Sequence, residues 1–169
     1  MRNTFDRFNG RHQDYQAARP SYAQKFLDWL GELYAPPERY TAADIGSGTG
    51  KLSAQLLAAG FRVCGVEPNP DMRGAAEALL GGDPRFSSSN GTDHDTGLPD
   101  RSVDMVAAAQ AFHWFDGPAF ARECRRILRP GGRAVLVWNV RGSAPVNQAL
   151  AQVFREHCPS FHGFTGGMG

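Results

Sequence analysis

The sequence lacks any long apolar run. No stretch of its 169 residues approaches the ~20 apolar residues of a membrane-spanning helix, and the opening MRNTFDRFNGRHQDY has no apolar segment of the kind a secretory leader carries. It has little net charge, formally +1, so no broad field favours nucleic acid or an anionic membrane. Cysteine is scarce. Cys64, Cys124 and Cys158 are odd in number, far apart and without a CxxC pair, which points to reduced thiols in a cytoplasmic protein and away from a disulfide framework or a zinc site. His12, His157 and His162 show no ligand spacing, so no metal is expected. Repeats and low-complexity tracts are missing too, and the length suits one domain with a sizeable core. One local charge cluster, Arg122, Arg125, Arg126 and Arg129, reads as the solvated face of a helix.

What is present is an alternation of short apolar runs with helical patterns. A helix is expected from Ser21, with Phe26, Leu27, Leu30 and Leu33 as its apolar stripe, stopped by APPE. YTAADI, FRVCGVE, RFSSSN, SVDMVAAAQA and RAVLVWNV read as five strands. Between them KLSAQLLAA, NPDMRGAAEALLGG and DGPAFARECRRILRPGG read as helices, with Pro130-Gly131-Gly132 as a tight turn, and APVNQALAQVFREHC as a last helix before a glycine-rich tail. Such alternation predicts an α/β fold: a Rossmann-like, doubly wound, mainly parallel sheet with helices on both faces. The expected divisions of this single domain are a lid and helix over 1–39, a core over 40–142, and a helix with a loose tail over 143–169.

The most informative stretch is TAADIGSGTGKLS, where Gly46, Gly48 and Gly50 alternate just after Asp44. It falls at the carboxyl end of the first strand and the amino end of a helix, where sheets of this type bind ligands and where helix N–H groups stand unpaired. A plain structural turn needs one such glycine; three in alternation predict a nucleoside-ligand site. The spacing is G-x-G-x-G, unlike the G-x-G-x-x-G of dinucleotide sites, and Asp44 would repel a pyrophosphate. A ligand with an ammonium group and no phosphate suits this corner, which favours S-adenosylmethionine over a nicotinamide dinucleotide. Glu67 ends the second strand twenty-one residues after Gly46, in position to accept hydrogen bonds from ribose hydroxyls.

ADIGSGTG, GVEPNPDM, LPDRSVDMVAAAQAFHWF and RECRRILRPGGRAVLVWN together resemble the class I S-adenosylmethionine-dependent methyltransferases, of the broad small-molecule kind often called type 11. The resemblance covers most of the chain, and DYQAARPSY is similar to the lid preceding the core in relatives. It implies S-adenosyl-L-methionine as cofactor and S-adenosyl-L-homocysteine as product. Gly46, Ser47, Gly48, Thr49 and Gly50 would pass beneath the methionine and ribose, and Asp44 would sit near the ammonium, directly or through water. Glu67 would hold the ribose, with Pro68 and Asn69 flanking the adenine and Met72 following. The family often places G-x-A-E after strand three. This chain has Gly91-Thr92-Asp93-His94, so the adenine amino contact falls to Asp93, with His94 at the usual glutamate position. Gln110, Tyr15 and Arg19 complete the expected cofactor set, Arg19 as a fork for the cofactor carboxylate.

Acceptor chemistry is expected in QAFHWF, just after the fourth strand. His113 is the candidate general base or acceptor-lining residue, with Trp114, Phe115 and Tyr22 shaping the acceptor pocket; the alternative for His113 is packing or hydrogen bonding within its loop. The expected acceptor is a small molecule, with neither nucleic acid nor membrane as partner. Relatives continue to an antiparallel strand pair that completes a seven-stranded sheet, whereas this sequence ends near the last helix. The expected C-terminal strands are missing: either the sequence is a fragment, or a partner or swapped segment covers the exposed sheet edge of a monomer or homodimer. Two rival functions are a binding module without turnover and a nicotinamide-dependent oxidoreductase. A nucleic-acid methylase is disfavoured by the lack of a basic face and of an Asn/Asp-Pro-Pro-aromatic motif.

Overall fold

The protein is described from a computed structural model, which covers residues 22–139. Tyr15 and Arg19, the expected lid and the expected last helix lie outside the described residues. Those up to Val137 belong to one structural unit; Trp138 and Asn139 begin a second.

The elements follow the apolar pattern. Helix α1 (Gln24–Leu33) buries Leu27 and Leu30, and strand β1 (Thr41–Ile45) follows. Helix α2 (Lys51–Ala58) buries Leu52, Ser53, Leu56 and Leu57. Strand β2 (Arg62–Val66) leads to helix α3 (Pro70–Leu80), which opens with proline in its first turn. The Asn69 side chain caps α3, accepting from the amides of Asp71 and Met72. Strands β3 (Phe86–Ser89) and β4 (Val103–Ala109) precede helix α4 (Gly117–Ile127) and strand β5 (Leu128–Val137). Among the described residues the sheet has five strands in the order β3-β2-β1-β4-β5, all parallel.

The order puts β1 at the centre, with its residues Ala42, Ala43 and Ile45 fully buried. One face carries Leu30, Leu52, Leu56, Phe61, Val63 and Met105. The other carries Ala43, Ile45, Val66, Val106, Phe120 and Ile127. Helices α1 and α2 thus cover one face and α4 the other, giving the doubly wound α/β architecture. Small residues in β1 and β4 let the helices approach closely on both sides.

One local expectation is corrected. The helix expected to include Leu128 and run up to the Pro130-Gly131-Gly132 turn stops at Ile127; Leu128 already pairs in β5, and the expected turn forms a bulge within that strand. Leu128 pairs with Val103, and the next partners are Arg133 and Met105. The extra residues loop out where Gly131 has φ of +84°, a conformation that suits a residue without a β-carbon.

The glycine corner between β1 and α2 is held by packing as well as by conformation. Gly46, Gly48 and Gly50 all have positive φ, at +70°, +56° and +80°. A β-carbon on Gly50 would meet Leu80 Cδ1 at 2.8 Å and Ala76 Cβ at 3.1 Å, both on α3. One on Gly48 would meet nothing within 4 Å. Gly50→Ala is therefore expected to destabilise by about 2–5 kcal/mol, from left-handed strain plus overpacking, and Gly48→Ala by about 1–2 kcal/mol from strain alone. Urea unfolding of the two variants checks this; equal losses would refute the packing role of Gly50.

Candidate functional site

A cleft opens at the carboxyl ends of β1, β2 and β4, with a volume of about 190 Å³. It lies beside the switch in strand order, between β1 and its neighbours β2 and β4. Its floor is the glycine corner. Gly46 and Ser47 donate their amides to the Val66 carbonyl, at 2.8 and 3.2 Å, which draws the end of β1 across β2. Gly46 has no room for a β-carbon, since one would stand 2.7 Å from Ala111 Cβ. Gly48 lines the cleft with its open side.

Two carboxylates face this floor. Asp44 is 1% exposed. Its Oδ2 accepts the Ser53 hydroxyl at 2.7 Å, while its Oδ1 is buried with no hydrogen-bond partner. Burial is the main reason that its pKa is pushed up to about 6; the Ser53 bonds oppose the shift and the Glu67 charge adds to it. An unsatisfied buried carboxylate oxygen is costly, so a cation or N–H donor beside it would be favoured. Glu67 is 9% exposed. Its Oε2 accepts the Gly48 amide and its Oε1 the Asn69 amide, both at 2.9 Å. Burial raises its pKa, opposed by those two amides and by the Arg73 charge. Each oxygen keeps a lone pair for a further donor. Arg73 of α3 donates to the Glu67 carbonyl at 2.8 Å, which fixes the backbone carrying that carboxylate.

The walls come from three further segments. Tyr22 is held by a two-way bond with Gln55 of α2: the Tyr22 amide donates to Gln55 Oε1, and Gln55 Nε2 donates to the Tyr22 carbonyl, both at 3.1 Å. The loop after β3 brings Thr92 and Asp93, and Asp93 Oδ2 accepts the Asp116 amide at 3.1 Å. The segment after β4 brings Gln110, Ala111, Trp114 and Phe115. Gln110 has φ of +55°, a strained conformation for a non-glycine residue at the very end of β4. Phe115 packs on Phe120, with ring centroids 5.2 Å apart.

Of the residues expected from sequence, Asp44, Gly46, Ser47, Gly48, Thr49, Glu67, Pro68, Met72, Asp93, Gln110, Trp114, Phe115 and Tyr22 all line the cleft. Four do not. Gly50 packs against α3. Asn69 is spent on capping α3. His94 points to solvent, with Nδ1 3.1 Å from Asp93 Oδ1. His113 is exposed on the rim, its ring centroid 4.8 Å from that of Trp114. Tyr15 and Arg19 lie outside the described residues. Lys51, Leu52, Thr92, Ala109 and Ala111 line the cleft without having been singled out. Position in the helix start and the strand end was the available signal for all but Thr92. Among the described residues no cluster of His, Cys, Asp and Glu could hold a metal ion, and no helix is long and apolar enough to cross a membrane.

Residues 43–136 match the family model described as a methyltransferase domain. An uncharacterized methyltransferase of Mycobacterium tuberculosis is 42% identical over 127 residues, covering 75% of this chain and 49% of the relative. An uncharacterized methyltransferase of Schizosaccharomyces pombe is 32% identical over 145 residues, covering 85% and 57%. The solved structure of a type II methyltransferase candidate from Anaeromyxobacter dehalogenans superposes with a TM-score of 0.65 at 35% identity, covering 82% of this chain and 57% of that one. The chain thus spans about half the length of these relatives. With the matched span running from β1 to β5, and with the parallel sheet and cleft it encloses, the chain belongs to the class I S-adenosylmethionine-dependent methyltransferase family.

Proposed function

We propose that this chain binds S-adenosylmethionine in the cleft and directs its methyl group to a small-molecule acceptor. The reading rests foremost on one observation: the buried, unpartnered Oδ1 of Asp44 beside a glycine whose open side faces the same cleft. A zwitterionic sulfonium nucleoside satisfies that oxygen with its ammonium; a dinucleotide would bring a pyrophosphate against it. Glu67 then receives the ribose hydroxyls on its free lone pairs, and Pro68, Met72 and Asp93 border the adenine. When bound, the cofactor supplies an activated methyl on a positively charged sulfur, open to in-line displacement. The residues of the chain contribute orientation. Gln110 stays with the cofactor set at the end of β4, while Tyr22, Trp114 and Phe115 border the acceptor side and hold the nucleophile at near-attack distance. Aromatic faces there also favour a cationic or polarised acceptor. His113, at the rim, lines the acceptor side and takes a proton where the acceptor must lose one. Tyr15 and Arg19 belong to the same proposal, as lid residues over the cofactor. A cytoplasmic enzyme working as monomer or homodimer, with a lid before the core and a helix after it, completes the reading.

Titration calorimetry with S-adenosylhomocysteine and, separately, with NADH tests the cofactor assignment. Tight NADH binding without a response to S-adenosylhomocysteine overturns it. The pH dependence is specific. The ammonium contact needs Asp44 ionised, so the dissociation constant for S-adenosylhomocysteine should fall about tenfold per unit as pH rises toward about 6, then level off. In the ligand-free chain the sign is opposite. Asp44 keeps its proton when folded while the unfolded chain has released it, so stability falls as pH rises from about 3.8 to about 6 and stays low above. Asp44→Asn should therefore stabilise the free protein at neutral pH, by on the order of 3 kcal/mol, while weakening S-adenosylhomocysteine binding at least tenfold. Unchanged affinity in that variant would remove the carboxylate from the proposal.

The His113 role has its own test. Across a panel of small-molecule acceptors assayed with labelled cofactor, His113→Asn should lower transfer by roughly 10²-fold while leaving cofactor affinity within about twofold. A full transfer rate in the variant would return His113 to a packing role.

A further inference from the structure

We infer that Glu123 is a positioning residue for the cleft: through Thr96 it sets the loop that presents Thr92 and Asp93. The inference rests on the cofactor reading above for its meaning, though its geometry stands alone. Glu123 lies on α4, lines no part of the cleft, and is 7% exposed. Its Oε1 accepts both the amide and the hydroxyl of Thr96, at 2.9 and 2.6 Å. Thr96 is itself 1% exposed. A buried carboxylate held in this way needs a counter-charge, and Arg126 provides it with a two-pronged bond, Nε to Oε2 at 2.8 Å and Nη2 to Oε1 at 2.7 Å. The same guanidinium reaches the Leu98 carbonyl at 2.8 Å and Asp100 at 2.7 Å. One acid–base pair on α4 therefore grips the loop at Thr96, Leu98 and Asp100.

From that anchor the loop is determined back to the cleft. The Ser89 hydroxyl, at the end of β3, donates to the Thr96 carbonyl at 2.8 Å, and its oxygen accepts the Gly91 amide at 3.3 Å. Gly91 and Thr96 press together so closely that a β-carbon on Gly91 would overlap the Thr96 backbone. Inside this neck, the Thr92 amide donates to the Asp95 carbonyl at 2.7 Å and the Asp95 amide to the Thr92 hydroxyl at 3.1 Å. The result is a closed loop whose only outward carboxylate toward the cleft, among Thr92–Thr96, is Asp93. Asp93 in turn accepts the Asp116 amide at the start of α4. The loop is thus pinned to α4 at both ends, by Glu123 to Thr96 and by Asp116 to Asp93.

Two measurements on the 169-residue chain test this, using Glu123→Gln and the milder Thr96→Val. The first needs no ligand. Amide hydrogen exchange at Thr92, Asp95 and Asp116 should quicken at least tenfold in either variant, while Ala43 in β1 stays protected; unchanged exchange at those three amides overturns the inference. The second measures S-adenosylhomocysteine binding in a double-mutant cycle with Asp93→Ala. Glu123→Gln should weaken binding about tenfold in the parent and less than about twofold when Asp93 is already gone, because the carboxylate it positions is missing. Equal losses in both backgrounds would mean a general loss of stability and would refute positioning through Asp93. A parent chain that binds no S-adenosylhomocysteine refutes the cofactor reading instead, and the exchange experiment then decides the positioning claim alone.

Discussion

The site depends on a carboxylate that the fold buries and leaves half satisfied. Asp44 is the penultimate residue of the central strand, where both faces of the sheet are covered, so water cannot solvate it. Ser53 takes up one oxygen, and nothing takes up the other. Desolvation raises the energy of the ionised form by a margin that a hydrophobic residue would avoid. Under the proposed function, the acid kept there is a binding determinant held at the expense of stability, as local strain at functional sites is generally. The same logic extends to Gln110, whose positive φ ends β4 at the opposite lip of the cleft.

Around this acid the three glycines divide their work. Gly46 lets β1 cross β2 and pass under Ala111; Gly50 lets α2 seat against α3; Gly48 leaves space. Only the last has its freedom turned wholly toward the cleft. Glu67 links these roles, because the carboxylate that faces the cleft also holds the Gly48 amide and the amide of the α3 cap. Corner, strand end and helix cap are thus one hydrogen-bonded unit, and an occupant that draws on Glu67 also acts on the loop beneath it.

Most of the fold was legible in the sequence because its signals are short-range. Apolar runs of five to seven residues separated by amphipathic helices leave little choice but a parallel sheet, and a Pro at the first turn with Asn before it marks α3 without ambiguity. The end of α4 was not legible. Leu128 suits a helix face and a strand equally, and its pairing with Val103, twenty-five residues earlier, decided the matter. In the site, residues whose role is set by chain position, such as Asp44 and Glu67, could be found from spacing. Asn69 follows the same spacing yet is taken up by its own helix cap, a local Asn-Pro pattern, and Gly50 serves α3 because its neighbours Ala76 and Leu80 are tertiary contacts that no local pattern encodes. Thr92 escaped notice for the same reason: its place depends on a grip exerted from Glu123, thirty-one positions along the chain.

The two ends of the cleft are built to different standards. At the end proposed for the nucleoside the carboxylates are buried and held by fixed donors, Asp44 by the Ser53 hydroxyl and Glu67 by the Gly48 and Asn69 amides. On the acceptor side Trp114 is 46% exposed and His113 stands beside it at the rim. Under the proposed function this asymmetry is what one core needs to hold the methyl donor firmly while leaving the acceptor side open to change. Rigid, desolvated groups hold what does not change, and exposed aromatic residues after β4 can be exchanged without disturbing the sheet, since Phe120 and Phe115 carry the packing there. Changes in acceptor choice should accordingly be sought at His113 and Trp114, where the segment after β4 meets solvent, and not at the corner.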